Sequence, residues 1–587
     1  MAEYISALDN YTLKQIGEKG HVEYGWSNNI REKIVQFHFQ LTRTKTKDQL
    51  KKMSDILYDI LFELKTIIRN KSSTLTNDAE NMMAKSYLSI MYKMIGQTRD
   101  IVDGKGEYEL TYMMILTWYK ICPELAFYAL DCCVSIDNNN KHPYGSWKDI
   151  KYFCNYCKEQ GLAKDHYLIH HAITIANKQL RLDFTNYEKG IDDISLIAKW
   201  LPREKSNKFG WLFHVLATNY FSNYLTTSTG EESVKRAILK CKTDYRKILS
   251  LLNAKLDTLQ IKQCANTWAT IDFKNVTSIS LTKQKTAFLN KTKIGKERYP
   301  ERGDRIVCAN NFKTFVSNSI KNNLEIKGKR LGLNDFTKEA VQICKDDGDN
   351  TEYKLLNAQW KSNSSQTKQL GKMIAMVDVS GSMDGDPLYA AIALGIRIAE
   401  KSVLGKRVLT FSSSPKWVNL EGIDEFVDMV HVIKKSEWGM NTNFNAALDM
   451  ILNAIILSKM KPEDVEDLTL VILSDMQIDQ ADTHYSTMYE NIRLKYSQTG
   501  IRACGIPYKP PHILFWNLRN TSGFPTLSSQ PNTSMMSGFS PSLLNLFCDQ
   551  GLEALQACTP WSNMEKSLNN TRYQILEDKF NKMLPIL

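Results

Sequence analysis

The 587-residue sequence contains no run approaching the roughly 18 uncharged apolar residues that a membrane span requires, so no membrane-inserted segment is expected. Its first residues, Met1-Ala2-Glu3-Tyr4-Ile5, lack a basic stretch followed by an apolar one, which argues against a secretory leader. The 12 cysteines include a single C-x-x-C and are too sparse for a disulfide scaffold, so a reducing, intracellular compartment is expected, the cytoplasm first. Walker-type G-x-x-x-x-G-K-[ST], G-x-S-x-G and H-E-x-x-H motifs are all missing, and the chain is read as a non-enzyme. An RNP-type aromatic motif, a KH-like G-x-x-G loop and zinc-knuckle spacing are missing too, so any RNA surface must be built from shape and charge.

What is present suits a folded chain. Hydrophobic residues make up 43% and charged residues 24%, enough to bury cores, and roughly 150 residues per domain suggests about four folding units. The net charge of +11 is unevenly placed: 56 Lys and Arg face 41 Asp and Glu before Gly371, and 19 face 23 from there on. Such asymmetry suits an upstream part that meets a polyanion and a downstream part that meets a cation or a different partner.

From about Lys33 to Leu259 apolar residues recur at three- and four-residue spacing, as in Leu57, Ile60, Leu61 and Leu64 or Tyr87, Ile90, Met91 and Met94, which predicts helix after helix. Tyr112 to Tyr119 is apolar nearly all round, as in a buried helix. Pro143-Tyr144-Gly145-Ser146-Trp147 reads as a turn with Ser146 as N-cap and a helix from Trp147 carrying Ile150, Cys154 and Cys157 inward. Long paired helices suggest a solenoid or ring. Between Lys283 and Arg330 the chain turns basic, with Phe288, Tyr299, Phe312 and Phe315 interleaved, and Lys345 to Gln369 reads as an exposed connection. From Gly371 short apolar strands alternate with amphipathic helices: strands at Met373–Val377, Val408–Phe411, Leu468–Leu473, Ile513–Trp516 and near Met535, helices at Leu388–Ala399 and Phe444–Leu457. The expected fold class is multidomain, α plus α/β: helical over 1–345, a linker or loop over 346–370, and a Rossmann-like α/β domain over 371–587.

Met373-Ile374-Ala375-Met376-Val377-Asp378-Val379-Ser380-Gly381-Ser382-Met383 runs an apolar strand into D-x-S-x-S at the carboxyl end, where open α/β sheets place ligands. One carboxylate and two hydroxyls on a tight turn are hard oxygen donors suited to Mg²⁺, with Mn²⁺ or Ca²⁺ as alternatives. Thr442, on a loop opening a helix, and Asp475, in Val471-Ile472-Leu473-Ser474-Asp475, fit the same ion. These residues resemble the metal-ion-dependent adhesion site of the von Willebrand factor A domain. The resemblance implies Asp378, Ser380, Ser382, Thr442 and Asp475 as ligands, Asp475 through water, and an acidic group of a protein partner completing the shell. The chain departs from the usual Gly-Gly-Thr in having Gly439-Met440-Asn441-Thr442.

A helical array followed by such a domain resembles the Ro ribonucleoprotein family, whose TROVE module is a HEAT-like ring that binds small noncoding RNA. Tyr144-Gly145-Ser146-Trp147-Lys148-Asp149, Phe515-Trp516-Asn517-Leu518-Arg519 and Ser537-Gly538-Phe539-Ser540 are similar to an uncharacterised TROVE-like family of plants and large DNA viruses. That resemblance, with a Lys-, Asn- and Ile-rich composition, suggests a viral origin and a virion as an alternative location. The implied function is a monomeric RNA-binding protein with a Mg²⁺-dependent partner-binding domain; the alternative is an adaptor that uses the metal site without RNA. The basic residues expected to meet RNA are Lys283, Lys285, Lys291, Lys293, Lys296, Arg298, Arg302 and Arg305.

Two further constellations compete. Cys154 and Cys157 with His166 and His170 have zinc-binding residue types, but the eight-residue gap from Cys157 to His166 is short, and burial on a helix face explains both thiols. Asp384, Asp386 and Asp479 lie near the ion motif, where a two-metal nuclease could recruit them, although turns and helix starts recruit Asp for capping.

Overall fold

The computed structural model describes residues 13–44, 46–69, 75–135, 142–292, 294–343, 350–435, 442–478, 486–548 and 552–585. The fold is α plus α/β, and its two compact units are each assembled from separated stretches of chain. One comprises residues 1–63, 277–285 and 313–570; the other comprises 64–276, 286–312 and 571–587. The expected boundaries at 345 and 371 both fall inside the first unit.

The first unit contains a two-stranded hairpin, β1 (Lys14–Ile16) and β2 (Val22–Tyr24), and a six-stranded sheet. The sheet comprises β3 (Met373–Asp378), β4 (Arg407–Phe411), β5 (Lys416–Asn419), β6 (Thr469–Ser474), β7 (His512–Asn517) and β8 (Thr533–Ser537), in the order β5-β4-β3-β6-β7-β8. All neighbours are parallel except the antiparallel edge pair β4 and β5. Parallel strands covered on both faces read as unbroken apolar runs, and β3, β6 and β7 do so. The short strand β5, with Trp417 exposed and Val418 buried, offers no such run and escapes the sequence reading.

From β3 the chain moves out through β4 and β5, then returns to β6 on the other side of β3, with Val377 facing Thr410 in β4 and Leu473 in β6. This reversal puts the topological switch point, where open sheets bind ligands, between the carboxyl ends of β3 and β6.

The linker expected over 346–370 is instead largely a helix, Thr351–Ser364; residues 344–349 lie outside the described residues. Leu355, Leu356 and Trp360 form its buried stripe, which the surrounding Ser and Asn disguise in composition. Trp360 stacks on Phe426 with centroids 3.9 Å apart and donates to Glu400 at 2.9 Å. The fully buried Arg397 lies 4.4 Å from the Trp360 ring and donates to Thr367 and to the Asn363 side chain, both at 2.9 Å.

The helical texture expected upstream appears in the second unit. Leu75–Arg99 packs against Tyr108–Ile121, Tyr108–Ile121 against Pro123–Val134, Lys148–Glu159 against Tyr167–Glu188, and Gly210–Tyr220 against Glu231–Lys255. The predicted stripes Leu57, Ile60, Leu61, Leu64 and Tyr87, Ile90, Met91, Met94 are all buried. The C-terminal helix Gln574–Met583 packs on Leu75–Arg99, where Gly96 gives room: a Cβ there would sit 2.8 Å from Leu576. Among the described residues no helix is long and apolar enough to cross a membrane.

Candidate functional site

The five oxygen donors read from the sequence all belong to the first unit. Asp378 ends β3, Ser380 and Ser382 flank Gly381 at a single 3₁₀ turn, Thr442 precedes the helix Phe444–Leu457, and Asp475 follows β6. Gly439, Met440 and Asn441 lie outside the described residues. Asp378, Thr442 and Asp475 are wholly buried, Ser380 nearly so, and Ser382 is half-buried.

Local hydrogen bonds hold these groups. Asp378 Oδ1 accepts from the Ser380 amide at 2.9 Å, and its Oδ2 accepts from the Ser474 hydroxyl at 2.6 Å. The Ser380 and Ser382 hydroxyls are 3.1 Å apart. Asp475 Oδ1 accepts from the Gln477 amide at 3.0 Å, and its Oδ2 accepts from Arg519 Nη1 at 3.2 Å. The Asp378 carboxyl is pushed up to about 7, by burial first and then by the Asp475 charge. Two buried carboxylates beside three hydroxyls form a hard-oxygen set that a cation would relieve of repulsion, so these residues fit a divalent ion.

A cation of the chain itself reaches the same oxygens. Lys19 Nζ donates to Thr442 Oγ1 at 2.6 Å and to Ser382 Oγ at 3.2 Å. Lys19 is carried on the tight turn between β1 and β2, where Gly17 N bonds His21 O at 2.8 Å and Gly20 takes a φ of 85°, a backbone state that suits glycine. The hairpin packs closely here: a Cβ on Gly523 would lie 1.8 Å from the Glu23 carboxyl carbon. The helix Ile30–Gln40 extends the same attachment. Its Glu32 accepts from the Ser528 amide at 2.9 and 3.0 Å, and Gln40 Oε1 accepts from the Thr521 amide at 3.0 Å.

Two of the family-like segments line this edge. Trp516 donates to Gly538 O at 2.7 Å, Asn517 to Phe39 O at 3.1 Å, and Ser537 to His38 O at 3.0 Å. Of the residues the sequence reading missed, Ser474 and Arg519 stand within segments already singled out. Lys19 carried no signal, being 363 residues from Ser382.

The third segment is structural. In the second unit the buried Asp149 accepts from Arg99 Nε at 2.9 Å, from Arg99 Nη2 at 2.7 Å, from the Ser146 amide at 2.8 Å and from the Tyr112 hydroxyl. A Cβ on Gly145 would come within 2.5 Å of Asp149 Oδ2, so only glycine allows this approach. The expected Ser146 cap is thus corrected: the helix is Lys148–Glu159, and Asp149 supplies the acceptor while Ser146 supplies a backbone donor. Tyr144 donates to Arg572 O at 2.8 Å, and Arg572 pairs with Asp100 at 2.6 and 2.7 Å.

The expected RNA residues fall in both units. Lys283 and Lys285 belong to the first unit, whereas Lys291, Lys296, Arg298, Arg302 and Arg305 belong to the second, and Lys293 lies outside the described residues. Lys285 is consumed internally, paired with Glu339 and, at 3.0 Å, with Glu352; these carboxylates keep its ammonium charged against burial. Arg305 is buried, its guanidinium 3.7 Å from the Trp268 ring and bonded to Ala287 O. Both therefore have partners within their own units. Lys283, Lys296, Arg298 and Arg302 are exposed.

A different basic surface appears on the helical unit. Lys148 lies 4.9 Å from the Tyr152 ring, Lys151 5.1 Å from Trp200 and 5.7 Å from Phe209, and Lys158 5.3 Å from Trp211. Lys148 and Lys158 are exposed and the rings half-buried. Sequence reading missed it because the rings come from separate helices and turns.

Cys154 and Cys157 are fully buried and their thiols raised by burial, as expected of apolar packing. His166 accepts from the Leu168 amide at 3.2 Å, and His170 is exposed. Asp384 is exposed, Asp386 opens the helix Asp386–Lys401, and Asp479 lies outside the described residues. Among the described residues no three His, Cys, Asp or Glu side chains converge as a metal-holding group.

Residues 372–585 match a domain of unknown function, DUF7788, and residues 156–373 match another, DUF2828. The junction falls at the start of β3. An uncharacterised protein of Acanthamoeba polyphaga mimivirus is 27% identical over 474 residues, covering 78% of this chain and 76% of that protein.

Proposed function

We propose that the chain is a non-enzymatic RNA-binding protein whose helical unit takes single-stranded RNA and whose sheet unit is a von Willebrand factor A-type domain that binds Mg²⁺ and an acidic group of a protein partner. The observation that carries the RNA reading is the row of lysines over aromatic rings at Lys148, Lys151 and Lys158. Ammonium groups attract the phosphate backbone, while half-buried rings offer stacking faces worth about 1–3 kcal/mol per base. Paired helices and the packing of Gln574–Met583 on Leu75–Arg99 support a HEAT-like, TROVE-like array. The A-type reading is supported by the switch point between β3 and β6 and by the oxygen donors gathered there.

The adaptor reading is favoured by one observation: Lys285 and Arg305, two of the expected RNA residues, are engaged inside the protein.

Photocrosslinking of a labelled single-stranded RNA to the full chain separates the two. Changing Lys148, Lys151 and Lys158 to Glu should weaken crosslinking sharply and lower the salt slope of the remaining binding by about 2, at roughly 0.7 per lost phosphate contact. Asp378→Ala should leave RNA binding intact. A folded wild type that carries no RNA would leave the adaptor reading in its place.

A further inference from the structure

The cation site is served by a residue of its own chain. We propose that Lys19 is the resident cation of the hydroxyl cluster, so that the β1–β2 hairpin and a divalent ion compete for it; this rests on the reading of Ser382 and Thr442 as metal ligands. The Lys19 ammonium takes the Thr442 hydroxyl at 2.6 Å and the Ser382 hydroxyl at 3.2 Å. A Mg²⁺ ion would need those oxygens at about 2.1 Å, and two cations sharing two oxygen ligands repel.

The hairpin is fastened around the site at several points. The Glu18 amide donates to Gln477 Oε1 at 2.9 Å, and Gln477 is the residue whose own amide holds Asp475. Gln477 Nε2 donates to Glu23 at 3.1 Å. Lys14 donates to both oxygens of Glu490 at 2.7 and 3.0 Å, while Val22 bridges to Thr487. The loop that presents Asp475 therefore also grips the hairpin tip, and movement of either alters the other.

The consequence is a hydroxyl cluster that already holds a cation without metal. Divalent-ion binding requires Lys19 to withdraw, and withdrawal opens the carboxyl edge to an acidic group from outside. Closed hairpin and bound ion are alternative states, and the ion's apparent affinity is reduced by the fraction of chains with the hairpin open.

The test is Mn²⁺ binding to the full chain, followed by the electron paramagnetic resonance of the free ion, for wild type, Lys19→Met, Asp378→Ala and the double variant. Lys19→Met should bind Mn²⁺ at least about tenfold more tightly than wild type, corresponding to a hairpin open in no more than about a tenth of chains. Asp378→Ala should abolish binding in both backgrounds. Equal affinity of wild type and Lys19→Met would overturn the role of Lys19 while leaving the cation site standing. Absence of binding in both would overturn the cation site itself. Hydrogen exchange on the wild type gives a reading that needs no variant: excess Mg²⁺ should speed exchange of amides 13–24, and unchanged or slower exchange overturns the proposal.

Discussion

Asp149 is the most exacting place to test the helical unit. Asp149 is 2% exposed and its carboxylate accepts two hydrogen bonds from Arg99, itself buried, one from the Ser146 amide and one from Tyr112. Burial works against the Arg99 charge, and Asp149 more than offsets it, so the guanidinium is held charged. Asp149→Ala strands that cation in a low-dielectric interior, which costs about 3–5 kcal/mol in comparable buried pairs. The orphaned Ser146 amide adds about 1–3 kcal/mol where water cannot reach it. Removing both charges in Arg99→Met/Asp149→Ala takes away the stranded cation, so the double variant should be more stable than Asp149→Ala alone, with a coupling of about 1–3 kcal/mol. Hydrogen exchange in Leu75–Arg99 and Lys148–Glu159 reads this locally: a loss of about 4 kcal/mol quickens exchange of the best-protected amides by about a thousandfold. If Asp149→Ala changes protection by less than tenfold, or the double variant is worse than the single by the full cost of Arg99→Met, the hub is not an energetic centre.

Two other predictions concern the sheet unit. His512 is buried, donating from Nδ1 to Leu555 O at 3.1 Å and accepting at Nε2 from Ser534 at 3.0 Å, and burial pushes its imidazole down to about 4. The unfolded chain therefore binds the proton first: stability from neutral His512 is complete above about pH 6.5 and falls by about 3 kcal/mol as pH drops towards 4. Exchange of β7 amides against pH should show that fall in wild type and lose it in His512→Gln. Arg397→Ala should cost about 3 kcal/mol, whereas Arg397→Met, which keeps contact with Trp360 and removes a buried charge whose basicity burial lowers to about 10, should cost less than half as much. Thermal unfolding of the two variants side by side gives the comparison.

The elements that sequence reading placed well are those whose own residues carry the pattern. The strand ending at Asp378 and the helix Phe444–Leu457 are local apolar periodicities, and the structure has both. Asp378, Ser380 and Ser382 were legible because three donors sit within five residues of one strand end. The helix Thr351–Ser364 was not, because its buried polar residues, Asn357, Gln359, Ser362 and Asn363, look solvated until their partners are known. Asn363 carries Arg397, and Gln359 bonds Ser278 O and Lys327 O. The internal partners of Lys285 and Arg305 were hidden for the same reason: what a cation meets depends on groups distant in sequence. Glu339 and Glu352 lie 54 and 67 positions from Lys285.

The charge asymmetry of the chain also changes meaning. Net positive charge upstream of Gly371 and net negative charge downstream suggested two external partners of opposite sign. Residues 1–63 carry none of that excess, with nine Lys and Arg against nine Asp and Glu, yet cations among them are used within their own unit: Lys14 pairs with Glu490, and Lys19 reaches the hydroxyls of Ser382 and Thr442. Covalent connection thus places Lys19 at the sheet edge at high effective concentration. On the proposed reading, any external ion or acidic group must displace a ligand that never diffuses away. Selectivity at this edge would then depend on hairpin stability as well as on the oxygen donors, and Gln477, Glu490 and Thr487 are residues that hold the hairpin.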